Sequence, residues 1–403
     1  MSTSSNAGTS GAGPSGSAKV TWYYDPKVRG VIYQVITLGA VVALAAIIIH
    51  NTAVNLASRN IAQGYGFLTT SAGFDLAMTP IDFPRDATYG RAIMVGLVNT
   101  LLVAAIGIIF ASLFGFLAGV GRLSQNYLIS RVSTIYVEVC RNVPLLLQIF
   151  FWYFAVLQVL PNPRNSVEPI PGWIFLNNRG LFLPEVKLTE ATGWAILGGL
   201  VVGVIGAIAV SRWARQRQIA TGAQFPAGKV GLALILGLPI LGLVVTGLGL
   251  TLVAPVKGGF NVAGGTRVIP EFAALVVALS VYTGTYIAEI VRAGILAVSW
   301  GQTEAARSLG LPNGPTLRLI IIPQAMRVII PPLTNQYLNL TKNSSLAVAI
   351  GFPDLVYVGG TVLNQTGQAI EIIAIWMAIY LGLSVATSVF MNWYNARVAI
   401  VER

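Results

Sequence analysis

Stretches of roughly twenty apolar residues recur along this chain, about eight of them, and that length is what a helix needs to cross the hydrocarbon of a bilayer. They are Gly30–His50, Ala92–Val120, Val137–Leu160, Trp194–Trp213, Val230–Val253, Phe272–Gly294, Val328–Ile350 and Ile370–Trp393. Lipid offers no partner to an open N–H or C=O, so such segments must close their hydrogen bonds internally, as helices. Composition agrees: 55% of the 403 residues are hydrophobic and only 10% are charged, whereas a soluble domain carries about 25% charged residues. The expected fold is an all-α polytopic membrane protein.

A net charge of +11 could serve a nucleic acid, but the basic residues are scattered between apolar spans and form no single polar face. Their placement fits membrane orientation, because cytoplasmic loops are enriched in Lys and Arg. Lys19, Lys27 and Arg29 precede the first span, and alternation then puts Arg122, Arg131, Arg212, Arg215, Arg217, Lys229, Arg397 and Arg403 on the same side. Both termini are therefore expected in the cytoplasm. No nucleic-acid partner is expected; the lipid bilayer is the solvent of this chain. The single cysteine, Cys140, excludes an internal disulfide or a cysteine-cluster metal site. With one histidine, His50, at a span end, neither a metal site nor a catalytic residue is expected. Residues 1–18, rich in Ser and Gly, read as a disordered tail.

Between two apolar spans lies Glu304-Ala305-Ala306; after three intervening residues comes Gly310, and after nine more Ile320, then Ile322 and Pro323. Ala305, Ala306 and Leu309 fall on one side of a short helix, with side chains that allow close approach to a partner. Gly310 can end a helix left-handed and turn the chain. Pro312 and Pro315 discourage continuation of the first helix, and Pro315 suits the start of a second.

This pattern resembles the coupling loop of permease subunits of binding-protein-dependent ABC importers, a cytoplasmic helix-turn-helix that docks on the ATPase. The resemblance extends further. Asn99-Thr100-Leu101-Leu102, with Gly115, Gly119 and Arg122-Leu123-Ser124, is similar to the first core helix of polar-amino-acid permeases. Tyr136-Val137-Glu138-Val139-Cys140-Arg141-Asn142-Val143-Pro144-Leu145-Leu146, with Gln148, Phe150 and Phe151, resembles their next segment. Tyr286–Gly294 before the loop, and Asn335-Gln336-Tyr337 with Lys342–Leu346 after it, complete the likeness. It implies the type I importer fold: five core spans, here with one more at the N-terminus and two more inserted between Pro161 and Pro270. The implied division is a tail 1–18, an extra span and outer loop 19–91, a first core part 92–160, an insertion 161–270, and a second core part 271–403 with the coupling loop at about 295–325. Two inserted spans return the chain to the same side of the membrane, so the core orientation survives them. The role of the insertion is not readable from the residues.

The resemblance also implies partners. They are an ATP-binding cassette ATPase dimer holding ATP and Mg, a periplasmic amino-acid-binding protein, L-amino-acid substrates, and a second, shorter homologous permease subunit in a heterodimer. The location implied is the bacterial inner membrane. This chain should bind no cofactor itself. Gly222 to Lys229 imitates a phosphate loop, but five residues separate Gly222 from Gly228 and Val230 follows the lysine, where a Walker motif needs four residues and a Ser or Thr. ATPase coupling is expected at Glu304, Ala305, Ala306, Leu309, Gly310, Ile320 and Pro323.

Asn335, Asn339 and Lys342 recur at i, i+4 and i+7, one helical stripe in an apolar span. A mid-span lysine costs roughly 2.5–3.5 kcal/mol on insertion scales, so such groups face a cavity or a partner. With Asn343 and Ser344 they form the candidate substrate path. The Lys342 ammonium could hold a substrate carboxylate, or could pair with Glu138 or Glu289 for structure alone. Pro331-Pro332 is expected to break or bend the start of that span. On composition alone, an ion-gradient-driven secondary transporter of small polar solutes is the alternative function.

Overall fold

The structure, a computed structural model, describes residues 26–58 and 64–398. The expected tail 1–18 and the charges at Lys19 and Arg403 lie outside the described residues. The chain divides into two compact units. One holds helix α1 (Pro26–Ser58), whose central residues Val31, Ile36, Val41 and Ile48 all expose their apolar side chains. The other begins at Tyr65 and contains everything described thereafter except Thr366–Gln368.

The second unit is organised around two long helices, α2 (Tyr89–Gly121) and α7 (Pro270–Leu296). Thr88 caps α2 by accepting the Arg91 amide at 3.3 Å, which answers one of the open donors at a helix start. The two helices meet through small residues. A Cβ built on Gly115 would stand 2.9 Å from the Gly284 carbonyl oxygen, and one on Gly119 2.7 Å from that of Ala288. In lipid, where water gives no push, such close backbone approach is what binds helices together. Ala111, Leu275, Leu279 and Ile287 are fully buried along this seam.

Between them in sequence come α3 (Tyr127–Asn142) and α4 (Leu145–Phe150), the latter continued by a π turn over Phe151–Leu157. The expected single span Val137–Leu160 is thus corrected to a pair bent by 106°. Val143 precedes Pro144 and takes an extended conformation, as the residue before a proline is forced to do. The buried Gln148 side chain closes the elbow, donating to the carbonyls of Cys140 at 2.7 Å and Val143 at 2.9 Å. The bent pair reaches from one end of α7 to the other. Its first helix lies at Arg122 and Glu289, while Tyr153 bonds Glu271 at 2.8 Å, in the first turn of α7. Glu271 and Glu289 stand about 27 Å apart along that helix at 1.5 Å per residue.

Residues 161–270 hold two helices, α5 (Glu190–Thr221) and α6 (Ala227–Val245), and eight short strands. Strands β1 (Val167–Ile170), β2 (Ile174–Asn177), β3 (Gly180–Leu183) and β8 (Thr266–Val268) form one antiparallel sheet, in that order. Strand β4 (Glu185–Leu188) pairs with β5 (Leu250–Val253), and β6 (Val256–Lys257) with β7 (Val262–Ala263). The expected span Val230–Val253 is therefore corrected: its helix stops at Val245 and its last residues belong to β5. Helices α5 and α6 form a glycine-seamed hairpin, with a Cβ on Gly203 falling 2.6 Å from the Leu234 carbonyl and one on Gly242 2.7 Å from that of Ala195.

After α7 come α8 (Trp300–Ser308), α9 (Asn313–Thr316), a π turn Leu317–Ile321, α10 (Ile322–Asn343), a 3-10 turn Ser344–Ile350, α11 (Leu355–Thr366) and α12 (Ala369–Val398). The seventh span begins earlier than Val328, because helical structure runs on from Asn313 to Ile350. Pro331 and Pro332 sit inside α10 without ending it, so of the expected break or bend the break does not occur. A transmembrane helix tolerates lost amide donors where neighbouring helices and polar groups make them good. Among the described residues seven helices are long and apolar enough to span, or eight if the bent pair counts as one span.

Candidate coupling loop, ion cluster and candidate path face

Helix α8 starts four residues after α7 ends. It closes at Leu309-Gly310: the Gly310 amide bonds the Arg307 carbonyl at 2.9 Å and the Leu311 amide bonds that of Ala306 at 3.1 Å. Gly310 has φ of 75°, the left-handed end that glycine adopts without steric cost. Pro312 then caps α9, inside which Pro315 falls, and the Thr316 hydroxyl donates to the Pro312 carbonyl at 3.0 Å. Two further contacts fix the turn. Arg307 lies over the Trp300 ring at 5.7 Å, and Gln324 donates to Gln302 at 3.3 Å.

The loop residues face two ways. Ala306 is 1% exposed and packs within the chain, so it supports the helix from inside, unlike Ala305. Glu304, Ala305 and Gly310 are exposed, Leu309 is 81% exposed, and Pro323 is exposed at the start of α10, while Ile320 is half-buried. Among the described residues the Glu304 carboxylate has no partner. A cleft of about 500 Å3, lined by Trp300, Thr303, Asn313, Thr316, Leu317 and Ile321, runs along the loop.

Directly above the loop, three motif segments meet at one arginine. Arg122, just past α2, bonds Glu289 of α7 and lies 3.8 Å from Glu138 of α3; Arg292 holds the same Glu289 at 2.6 Å. Arg141 stacks over the Tyr286 ring at 5.2 Å, and the Tyr136 hydroxyl donates to the Val281 carbonyl at 2.8 Å. The sequence placed Glu138 and Glu289 as structural ion-pair acids but missed Arg122 as their hub; its position one residue beyond a span, in Arg122-Leu123-Ser124, was the available signal.

Lys342 makes no such pair. Among the described residues its side chain has neither an ion pair nor a hydrogen bond, and Glu289 is committed to arginines. Asn335, Asn339 and Lys342 lie exposed along one face of α10 with Val328, Pro331 and Pro332. Asn343 is half-buried, and Ser344 is fully buried, its hydroxyl donating to the Thr341 carbonyl at 2.7 Å. Ser344 thus belongs to the packing behind this face.

At the opposite end from the loop, polar side chains tie the helices together. Asn99 donates to the carbonyls of Met78 at 3.0 Å and Pro353 at 2.9 Å, and the Thr100 hydroxyl accepts the Leu355 amide at 3.1 Å. Trp376 donates to the Leu355 carbonyl at 3.1 Å. Asp354, wholly buried at the head of α11, caps it through the Tyr357 amide at 2.8 Å. Burial pushes its carboxyl up to about 7.

A bundle of long apolar helices, with α7 leading into an exposed helix-turn-helix, is the architecture of a polytopic membrane protein. The comparisons define the class further. The model of the binding-protein-dependent transport system inner membrane component matches residues 232–400. The chain is 55% identical to the general L-amino acid transport system permease protein AapQ of Rhizobium johnstonii over 94% of both chains. It is 52% identical to the putative amino-acid ABC transporter permease protein YhdX of Escherichia coli, over 94% of this chain and 97% of that one. A solved amino acid ABC transporter with histidines is 23% identical, with a TM-score of 0.46 over 77% of this chain and 95% of that one. This chain belongs to the family of inner-membrane permease components of binding-protein-dependent ABC importers, among its amino-acid permeases. It is a multi-pass inner-membrane transport component, and the ion-gradient alternative is set aside.

Proposed function

We propose that this chain forms one half of the translocation path of an ATP-driven L-amino-acid importer, with cytoplasmic termini. Relatives named for general L-amino acids and for glutamate, glutamine, aspartate and asparagine support that substrate class. The observation that carries the reading is the loop from α8 through Gly310 to α9: its Glu304 and Leu309 are exposed without an in-chain partner, next to a cleft and beneath the Arg122 ion cluster. A separate ATPase dimer, holding ATP and Mg, docks there, and its motion passes through the loop into α7 and α10. The open stripe Asn335, Asn339 and Lys342 lines the path, the ammonium facing the substrate carboxylate. A single core cannot enclose a path, so a second permease subunit faces this stripe. The insertion 161–270 on one partner only would make the pair a heterodimer with a shorter homologue. Residues 92–160 and 271–398 supply the transport core.

The test is uptake into inside-out-depleted vesicles carrying the purified complex. Uptake of L-glutamate that requires the binding protein and is stopped by vanadate supports the reading, and uptake that follows an imposed ion gradient without ATP contradicts it.

A further inference from the structure

The strands of the insertion gather at the start of α7, since β8 runs directly into that helix. They therefore lie at the end of the core opposite the coupling loop. Their acids are already occupied: Lys257 holds Glu168 at 3.2 Å and Lys187 holds Glu185 at 3.7 Å. Three arginines remain with no carboxylate among the described residues: Arg164, Arg179 and Arg267.

They are fixed close together. Arg164 donates through Nε to the Gly259 carbonyl at 2.8 Å and lies 4.1 Å above the Phe260 ring. Arg267 donates through Nε to the Arg179 carbonyl at 2.9 Å, joining β8 to the β2–β3 turn. Arg164 and Arg179, with Gln158, Asn162 and Asn178, line an open polar pocket of about 500 Å3 rimmed by Phe260. Phe260 is 78% exposed. The backbone anchor and the ring spend the Nε edge and one face of Arg164, leaving the guanidinium's outer fork directed to a ligand, the geometry that receives a carboxylate with two parallel bonds. An exposed aromatic beside a pre-positioned arginine is the pairing that dominates protein interfaces. A surface whose own acids are already paired calls for free ones on the partner.

We propose that this arginine pocket is a docking site for acidic side chains of the substrate-binding protein on which this family depends. The inference rests on the importer reading and gives the insertion a role. The sheet holds a receiving surface outside the membrane, and the α5–α6 hairpin anchors it.

The test uses the complete complex in nanodiscs and the purified binding protein of the same system, with L-glutamate present. Affinity is measured against salt for the wild type, for Arg179→Gln and for Arg164→Gln/Arg179→Gln. The Arg179 side chain makes no bond within the described chain, so its single variant keeps the fold even if the double variant does not. Each lost charge-assisted contact should weaken binding about tenfold and flatten the salt dependence, with basal ATPase unchanged. Unchanged affinity overturns the proposal. So does a second result, in which L-glutamate alone binds the wild-type complex and not the variants while binding-protein affinity is unaltered, because the pocket is then an amino-acid site. Absence of binding-protein-dependent uptake by the wild type would instead contradict the importer reading.

Discussion

Two helix pairs in this molecule use the same contact chemistry for different ends. The seam between α2 and α7 and the seam between α5 and α6 both bring backbone against backbone over glycines, at Gly115 and Gly119 in one and Gly203 and Gly242 in the other. Their surroundings differ. In its most apolar stretch α7 is 67% buried, against 11% for α5 and 6% for α6. The core seam also carries ion pairs at one end and polar clamps at the other, in Arg122–Glu289 and in Asn99 with Thr100. The hairpin has a Thr189–Thr192–Thr246 hydroxyl chain at its mouth and apolar flanks such as Leu197, Val201 and Ile240 exposed. One pair is packed among other helices; the other is a self-contained hairpin whose apolar flanks are exposed. Small residues make helices adhere in either place; ion pairs and polar clamps to further elements are what set the core apart.

The comparison fails first at its glycines. Gly119→Leu drives a side chain into the Ala288 carbonyl and Val291, a clash costing about 3 kcal/mol or more, and should abolish assembly of the complex. Gly203→Leu presents a similar clash with the Leu234 carbonyl yet should leave the core assembled and transporting. Equal loss in size-exclusion and uptake assays would show that the hairpin is part of the core.

A smaller effect should come from Asp354. Its folded carboxyl titrates near 7, above the ordinary value of 3.8, so the folded state binds a proton the unfolded state releases. The stability it contributes is then full at low pH and is lost as pH rises through about 7, by an amount on the order of a few kcal/mol. Thermal melts of the detergent-solubilised complex should fall between about pH 4 and pH 7 and level off above that, and Asp354→Asn, which keeps the capping oxygen, should remove that slope. A wild-type melt that rises over the same range would contradict the buried neutral acid.

Sequence legibility follows the same division. The coupling loop could be read because its turn needs a residue at positive φ, and Gly310 stands where the turn occurs. The stripe Asn335, Asn339 and Lys342 could be read because helical spacing alone puts three polar residues on one face. The elbow at Val143-Pro144 could not, since apolarity continues across it and its closure depends on Gln148 reaching back to two carbonyls. Strand β5 was lost for a related reason: Leu250–Val253 is apolar and follows α6 closely, so hydropathy merges a helix with a strand. Pro331 and Pro332 do not break α10, because the rule for a helix in water does not carry over to one embedded among other helices.

Path residues sharpen the contrast further. Lys342→Met should leave the complex assembled, since no in-chain acid is orphaned, while uptake falls about tenfold, the weight of one charge-assisted bond to a carboxylate. Scarce complex after this change would mean that the lysine pairs with an acid of another subunit. The least effect is expected from the most drastic edit. Leu188 pairs with Leu250, and the Thr189 amide bonds the Gly249 carbonyl at 2.9 Å, so the hairpin leaves and re-enters at one point. Replacing residues 189–249 by an Asn-Gly turn removes two spans and keeps the strands joined. Folding and basal ATPase should be unchanged, and a core that no longer assembles would refute the division between the two pairs.

The central claim is that hydrolysis on a partner is transmitted through the turn at Gly310. The most direct measurement is binding-protein-stimulated ATP hydrolysis and amino-acid uptake, recorded together on one proteoliposome preparation of Gly310→Val. A β-branched residue resists the φ of 75° found here, so the loop should lose its shape while α7 and α10 remain packed. The account predicts normal amounts of complex with uptake largely lost and hydrolysis no longer answering to the binding protein. Uptake and stimulated hydrolysis both at wild-type levels would contradict it.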